Sequence, residues 1–160
     1  MTVTSVDKDL DNLTMTLIAD FAAPAERVWQ LWADPRQLER WWGPPTYPAT
    51  FEQHDLSAGG EVTYFMTGPD GGTFHGWWGV EAVEPPRSLR FRDGFADAEG
   101  NRNDQMPVTS VEMTLADHDG GTRMQLRSTF PSREEMEKLL EMGMDQGLSE
   151  AVGQMDALLG

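Results

Sequence analysis

From about Ala49 to Phe130 the chain reads as strand after strand, and this block limits the fold more than any other feature. Turn signals interrupt it at Ser57-Ala58-Gly59-Gly60, Gly68-Pro69-Asp70-Gly71-Gly72, Glu84-Pro85-Pro86-Arg87 and Asp117-His118-Asp119-Gly120. Connections this short make antiparallel hairpins, since parallel strands need a crossover of about a dozen residues or more. Pairing arithmetic then defines a face. Thr67 opposite Thr73 sets Met66, Tyr64 and Val62 against Phe74, Gly76 and Trp78. Val83 opposite Ser88 sets Ala82 against Leu89 and Val80 against Phe91, and Ala116 opposite Gly121 sets Met113 against Met124 and Val111 against Leu126. Each choice gathers apolar side chains on one face and leaves Glu61, Arg90, Arg92, Glu112, Arg123 and Arg127 mostly on the other. A slip of one residue would invert that face, so the agreement supports the register. Trp78 is placed inward, and Trp77 and His75 outward.

The flanks supply the rest. Leu13 to Phe21 alternates as a strand, with Met15, Leu17, Ala19 and Phe21 on one side. Pro24 fits the first turn of a helix whose apolar face is Val28, Trp29 and Trp32. Asp34-Pro35 starts a second short helix bearing Leu38, Trp41 and Trp42, which Gly43-Pro44-Pro45 ends. Ser132-Arg133-Glu134-Glu135 matches a capping box. Met136, Leu140, Met144, Leu148, Val152 and Met155 follow as the stripe of one long amphipathic helix, the natural cover for the sheet. The expected architecture is one α+β domain spanning residues 1–160, with about seven antiparallel strands and a core from 13 to 159. Residues 1–12 read as an N-terminal tail.

Composition excludes several functions. No stretch approaches the ~20 apolar residues of a bilayer span, and the N-terminus lacks a signal-peptide pattern. A cytoplasmic location is therefore expected. There is no cysteine, hence no disulfide or thiolate chemistry. The net charge of −15 repels phosphate backbones and anionic headgroups, arguing against nucleic acid and membrane partners.

The motifs Phe21-Ala22-Ala23-Pro24-Ala25-Glu26-Arg27-Val28-Trp29 and Leu38-Glu39-Arg40-Trp41-Trp42-Gly43-Pro44 resemble a branch of the START-like (SRPBCC) superfamily. That branch is the family of homologues of the heat-shock-protein-90 ATPase activator. The resemblance continues through Asp55 to Gly60, Gly71-Gly72-Thr73-Phe74, Val83 to Phe91 and the final helix from Gly143 to Leu159. It implies a helix-grip fold, in which a curved sheet and the long C-terminal helix enclose a cavity. Superfamily members carry lipids, sterols or polyketides, and a minority are enzymes. Where similar proteins usually carry Trp after the helix glycine, this chain has Met144.

The chain's ten methionines suit a pliable apolar cavity, or equally a filled core. Met66, Met106, Met113, Met124, Met136 and Met144 fall on inward faces or their edges. With Trp41, Trp42, Tyr47, Tyr64, Trp78, Phe91, Phe95, Leu140 and Leu148 they make up the expected cavity lining. Gly143 and Gly147 lie one turn apart in the final helix and suggest a close approach to the sheet, or room left for a ligand. The acidic segment Asp93 to Asp104 fails as a calcium loop, because Phe95 falls where the first acidic ligand belongs. It reads as a surface hairpin loop, or as a flap closing Phe95 and Met106 over the cavity.

His54, His75 and His118 show no ligand spacing, so neither metal nor cofactor is expected. No nucleophile elbow, phosphate loop or dinucleotide fingerprint is present. Tyr64 is the best inward titratable group and Asp20 the next, and no catalytic residue is assigned. The leading expectation is a binder of a small hydrophobic or amphipathic molecule. The alternatives are a polyketide cyclase-like enzyme, which needs polar groups converging inside, and a chaperone-interacting module. An exposed Trp77 would serve a chaperone partner or a homodimer.

Overall fold

The computed structural model describes residues 3–159. In chain order the elements are β1 (Val3–Asp9), β2 (Thr14–Phe21), α1 (Ala25–Ala33), α2 (Pro35–Leu38), β3 (Ala49–His54), β4 (Glu61–Thr67) and β5 (Thr73–Glu84). They continue with β6 (Ser88–Ala96), β7 (Thr109–His118), β8 (Gly121–Thr129), α3 (Arg133–Glu141), α4 (Met144–Gly153) and α5 (Met155–Leu159). All eight strands form one antiparallel sheet in the order β1-β2-β8-β7-β6-β5-β4-β3. The helices pack across one face, so the α+β helix-grip architecture is the observed one.

The segment expected as a tail is partly edge strand. β1 pairs with β2 from Asp9↔Thr14 to Val3↔Ala19. Its Val3 and Val6 pack on the core, and Lys8 Nζ lies 3.0 Å from Asp145 Oδ2 of α4. The sheet therefore has one strand more than the expected seven.

The hairpin arithmetic holds in detail for β4–β5, where Thr67 faces Thr73 and Val62 faces Trp78. Two other hairpins differ. Glu84, not Val83, faces Ser88, and a bulge between Val80 and Ala82 restores Val80 opposite Phe91. In β7–β8 the turn is only Asp119-Gly120, with both residues at positive φ (48° and 81°), so His118 faces Gly121 and Ala116 faces Arg123. Pairing shifts two residues from the expected register, Met113 opposing Leu126. A slip of two preserves the face.

Trp77 is on the outer face as expected but is not exposed. The guanidinium carbon of Arg102 lies 3.8 Å from its ring centroid, and Arg102 pairs with Glu61 at 3.0 Å. The indole N–H donates to the Phe95 carbonyl at 3.1 Å, leaving Trp77 only 5% exposed. Nor is the following segment loop from Asp93 onward, because β6 runs to Ala96 and Arg102 bridges back to it.

The C-terminal cover is three helices rather than one. Ser132 caps α3, its hydroxyl accepting from the Glu135 N–H at 3.1 Å. That helix ends at Glu141, and two residues on, Gly143, whose φ of 86° is left-handed, breaks the path before α4 starts. The second break follows Gly153, where the Gln154 amide donates to the Gly43 carbonyl at 2.7 Å. An apolar stripe survives such breaks because each helix still turns the same residues inward. Gly143→Ala is expected to cost roughly 1–2 kcal/mol of stability, the left-handed penalty for a residue with a Cβ. Denaturant melts of the two proteins check this; equal midpoints would contradict the assignment of Gly143 as an obligatory break.

Candidate functional site

The concave face is filled at one end and open at the other. Trp32, Trp41, Trp42, Trp78 and Phe91 interlock with ring centroids 4.2 to 6.4 Å apart. Beside them a cavity of about 510 Å³ lies between the sheet and α3–α4. Trp32 and Trp42 form its back wall, Met66, Phe95, Val111 and Leu126 its floor, and Leu139, Met144 and Leu148 its roof. Tyr47, Phe74 and Met142, the exposed large hydrophobics among the described residues, all border it where it meets solvent. The break at Gly143 shapes the roof. A Cβ on Gly143 would meet nothing within 4 Å, and one on Gly147 only Pro44 at 3.8 Å. Close approach to the sheet, one of the two readings of these glycines, is not what the structure has; they leave space.

One carboxylate enters this apolar space. Along β6 the inward parity runs Leu89, Phe91, Asp93, so Asp93 is aimed at the cavity by strand alternation alone. Tyr64 reaches it from β4 across the intervening β5. That crossing is possible because Gly76 sits beneath the ring; a Cβ there would come within 2.5 Å of the phenol. The Tyr64 hydroxyl donates to Asp93 Oδ1 at 2.9 Å. Burial pushes the Asp93 carboxyl up to about 7, and the bond from Tyr64 only partly opposes this. The Tyr64 phenol is held well above its ordinary range, first by burial and then by the charge of Asp93. The Trp42 and Trp78 indoles lie beside that phenol, yet their N–H groups, like that of Trp32, have no hydrogen-bond partner. A carboxyl that titrates near neutrality can accept a hydrogen bond or hold a proton with little change in conditions.

Of the lining expected from sequence, Trp42, Tyr47, Tyr64, Met66, Phe95, Met144 and Leu148 border the cavity. Trp41, Trp78, Phe91, Met113, Met124 and Met136 are instead fully buried in packed core. They share the inward parity but lie where the interior is filled. Leu140 packs on a second cluster with Met15, Phe130 and Met136. Met106 lies beside the Lys138 ammonium, 3.9 Å from its Sδ, and is not part of the cavity lining. Asp93, Trp32, Phe74, Thr109 and Ser128 were not anticipated. The signal for Asp93 was the alternation through Leu89 and Phe91, masked because the acidic run after it resembles a loop.

Asp20, the other titratable candidate, faces outward. Arg123 holds it at 2.8 Å, and that hydrogen bond keeps its carboxyl below the usual range. The described residues contain no group of three His, Asp or Glu suited to a metal. No helix among them is long and apolar enough to cross a membrane.

Residues 22–160 match the family described as "Activator of Hsp90 ATPase homolog 1-like protein". The chain belongs to that family, the branch of the START-like superfamily its motifs resemble. A crystallised protein from Mycobacterium smegmatis is 52% identical, with 99% of this chain and 97% of that one aligned at a TM-score of 0.92. An Arthrobacter aurescens protein solved by NMR is 51% identical, covering 99% of this chain and 92% of that one, with a TM-score of 0.95. A Staphylococcus epidermidis protein at 21% identity shares the fold, with a TM-score of 0.84 over 98% of this chain and 93% of that one. No curated protein matches the chain.

Asp93 has a consequence for stability. Folded, it keeps its proton up to about pH 7; unfolded, its pKa returns to 3.8. The stability this proton supplies is complete below about pH 4 and is lost as pH rises through 7. Asp93→Asn, neutral throughout, is expected to gain on the wild type by about 2 kcal/mol between pH 5.5 and 8, read from denaturant melts. A gap independent of pH would contradict the raised carboxyl.

Proposed function

We propose that this protein binds a small amphipathic molecule in the cavity between its sheet and C-terminal helices. The observation that carries the reading is the cavity itself, about 510 Å³, with mainly apolar walls, the hydrogen-bonded pair Asp93 and Tyr64 at 2.9 Å, and Thr109 and Ser128 as further polar lining. Ligand sites commonly have this size and this make-up, apolar walls with a few placed polar groups. Family membership supports it at the level of fold, since START-like domains are built around such a hollow. A cytoplasmic location is part of the proposal.

The cyclase-like reading is the second one, and the same pair favours it. It requires polar groups that converge inside, and Tyr64 and Asp93 do converge. A chaperone-facing role draws no comparable support, because Trp77, its one candidate contact, is covered by Arg102.

Native mass spectrometry of freshly purified protein, beside a denatured control, tests the binding reading. The expected result is a mass excess that disappears on denaturation. Gly147→Leu should lower that occupancy while leaving the melting temperature equal or higher, because the new side chain enters open space and removes a helix glycine. An apo mass for the wild type, with no uptake of amphiphiles supplied in solution, would overturn the proposal.

A further inference from the structure

The cavity holds one carboxyl, and no basic side chain on its lining faces it. Among the described residues, Asp93 is the only Asp, Glu, Lys, Arg or His on that lining; the other titratable groups there are Tyr64 and Tyr47. From β4 the carboxyl meets the Tyr64 hydroxyl, and its neighbours in register on β5 and β7 are Trp78 and Thr109. The roof residues Leu139, Met144 and Leu148 are neutral. The nearest basic residues on β6 and its following turn, Arg92 and Arg102, lie on the opposite face over Trp77, at 5.8 and 3.8 Å from its ring. The carboxyl is half-buried, takes a hydrogen bond from Tyr64 and faces no cation on the lining, so its ionised form is costly and an entering cation can offset that cost.

Resting on the binding reading above, we infer that the preferred occupant is an amphipathic organic cation, a protonated amine whose ammonium group sits against Asp93. Three independent features fit it. The ammonium would supply the missing counter-charge and a charge-assisted hydrogen bond to the carboxylate oxygen that Tyr64 does not use. The surrounding faces are aromatic, with Trp42 and Tyr64 inside and Tyr47 and Phe74 at the mouth, 5.7 Å apart. Such faces attract cations and disfavour anions, because the ring face is the negative end of its quadrupole. The net charge of −15 raises the local concentration of cations and lowers that of fatty acids and phosphates. The cation binds the ionised carboxylate, so the affinity should rise with pH through about 7, and binding below that point should release a proton.

Chain-matched probes separate this inference from the binding reading. Calorimetric titration with n-octylamine, n-octanol and n-octanoate at about pH 5.5 and pH 8 compares cation, neutral donor and anion on one apolar body; octylamine stays protonated at both. At pH 8 octylamine is expected to bind about tenfold or more tightly than octanol, and octanoate least. The advantage should shrink at pH 5.5 and vanish in Asp93→Asn, while Tyr64→Phe keeps it. Octanol binding as well as octylamine at both pH values would overturn the cation inference and leave the binding reading standing. Tighter binding of octanoate would also overturn it. Failure of all three probes to bind would overturn both. Should Asp93→Asn not fold, the pH dependence of the wild type decides alone.

Discussion

Everything distinctive about this molecule depends on the packed indoles that prop the helices away from half of the sheet. Trp42 meets Trp78 edge to face at 4.9 Å; Trp32 lies 6.0 Å from each, Trp41 5.7 Å from Trp42, and Trp32 and Trp41 meet each other at 4.8 Å. Trp41 is fixed further by its N–H bond to the Leu31 carbonyl at 2.8 Å. Interiors this dense resist compression. The loop after α2 is tied to the end of α4 through Gln154, so the helices rest on this wedge and cannot settle onto the strands beyond it. The cavity is what remains.

Within that space, Asp93 shows local physics opposing stability. An alternating strand would ordinarily place an apolar residue there, and the cavity would lose its one carboxyl. The protein instead tolerates a carboxyl whose ionisation is suppressed by burial and supported by one phenol. Groups that weaken the fold while facing an open cavity are the ones a bound molecule can satisfy. The Gly76 gap that admits Tyr64 belongs to the same arrangement, because it has no role in the sheet that a larger residue would not fill.

The sequence made the sheet's inner face legible because strand side chains repeat every two residues, and errors of two, as at Asp119-Gly120, leave that face unchanged. The capped start of α3 was legible for an equally local reason. What was hidden depended on contacts between distant segments. Trp77 was on the side that parity indicated, but only the return of Arg102 shows that it is covered. The apolar stripe from Met136 to Met155 continues past Gly143, so periodicity could not reveal the break. The cavity's limits were the least legible of all. Parity says which residues face inward, not which of them meet a neighbour and which meet a void, and Met113 and Met144 were indistinguishable on that basis.

A carboxyl stands in a mainly apolar cavity with no cation on the lining beside it, and its own titration measures that directly. Carbon-13 NMR of the side-chain carboxyls, with Asp93 assigned by comparison with Asp93→Asn, would follow each group through the pH range. The expected midpoint for Asp93 is near 7, far above its value of 3.8 when free of the fold. A midpoint at the ordinary aspartate value would show a solvated or already paired carboxylate, and would contradict the site as described.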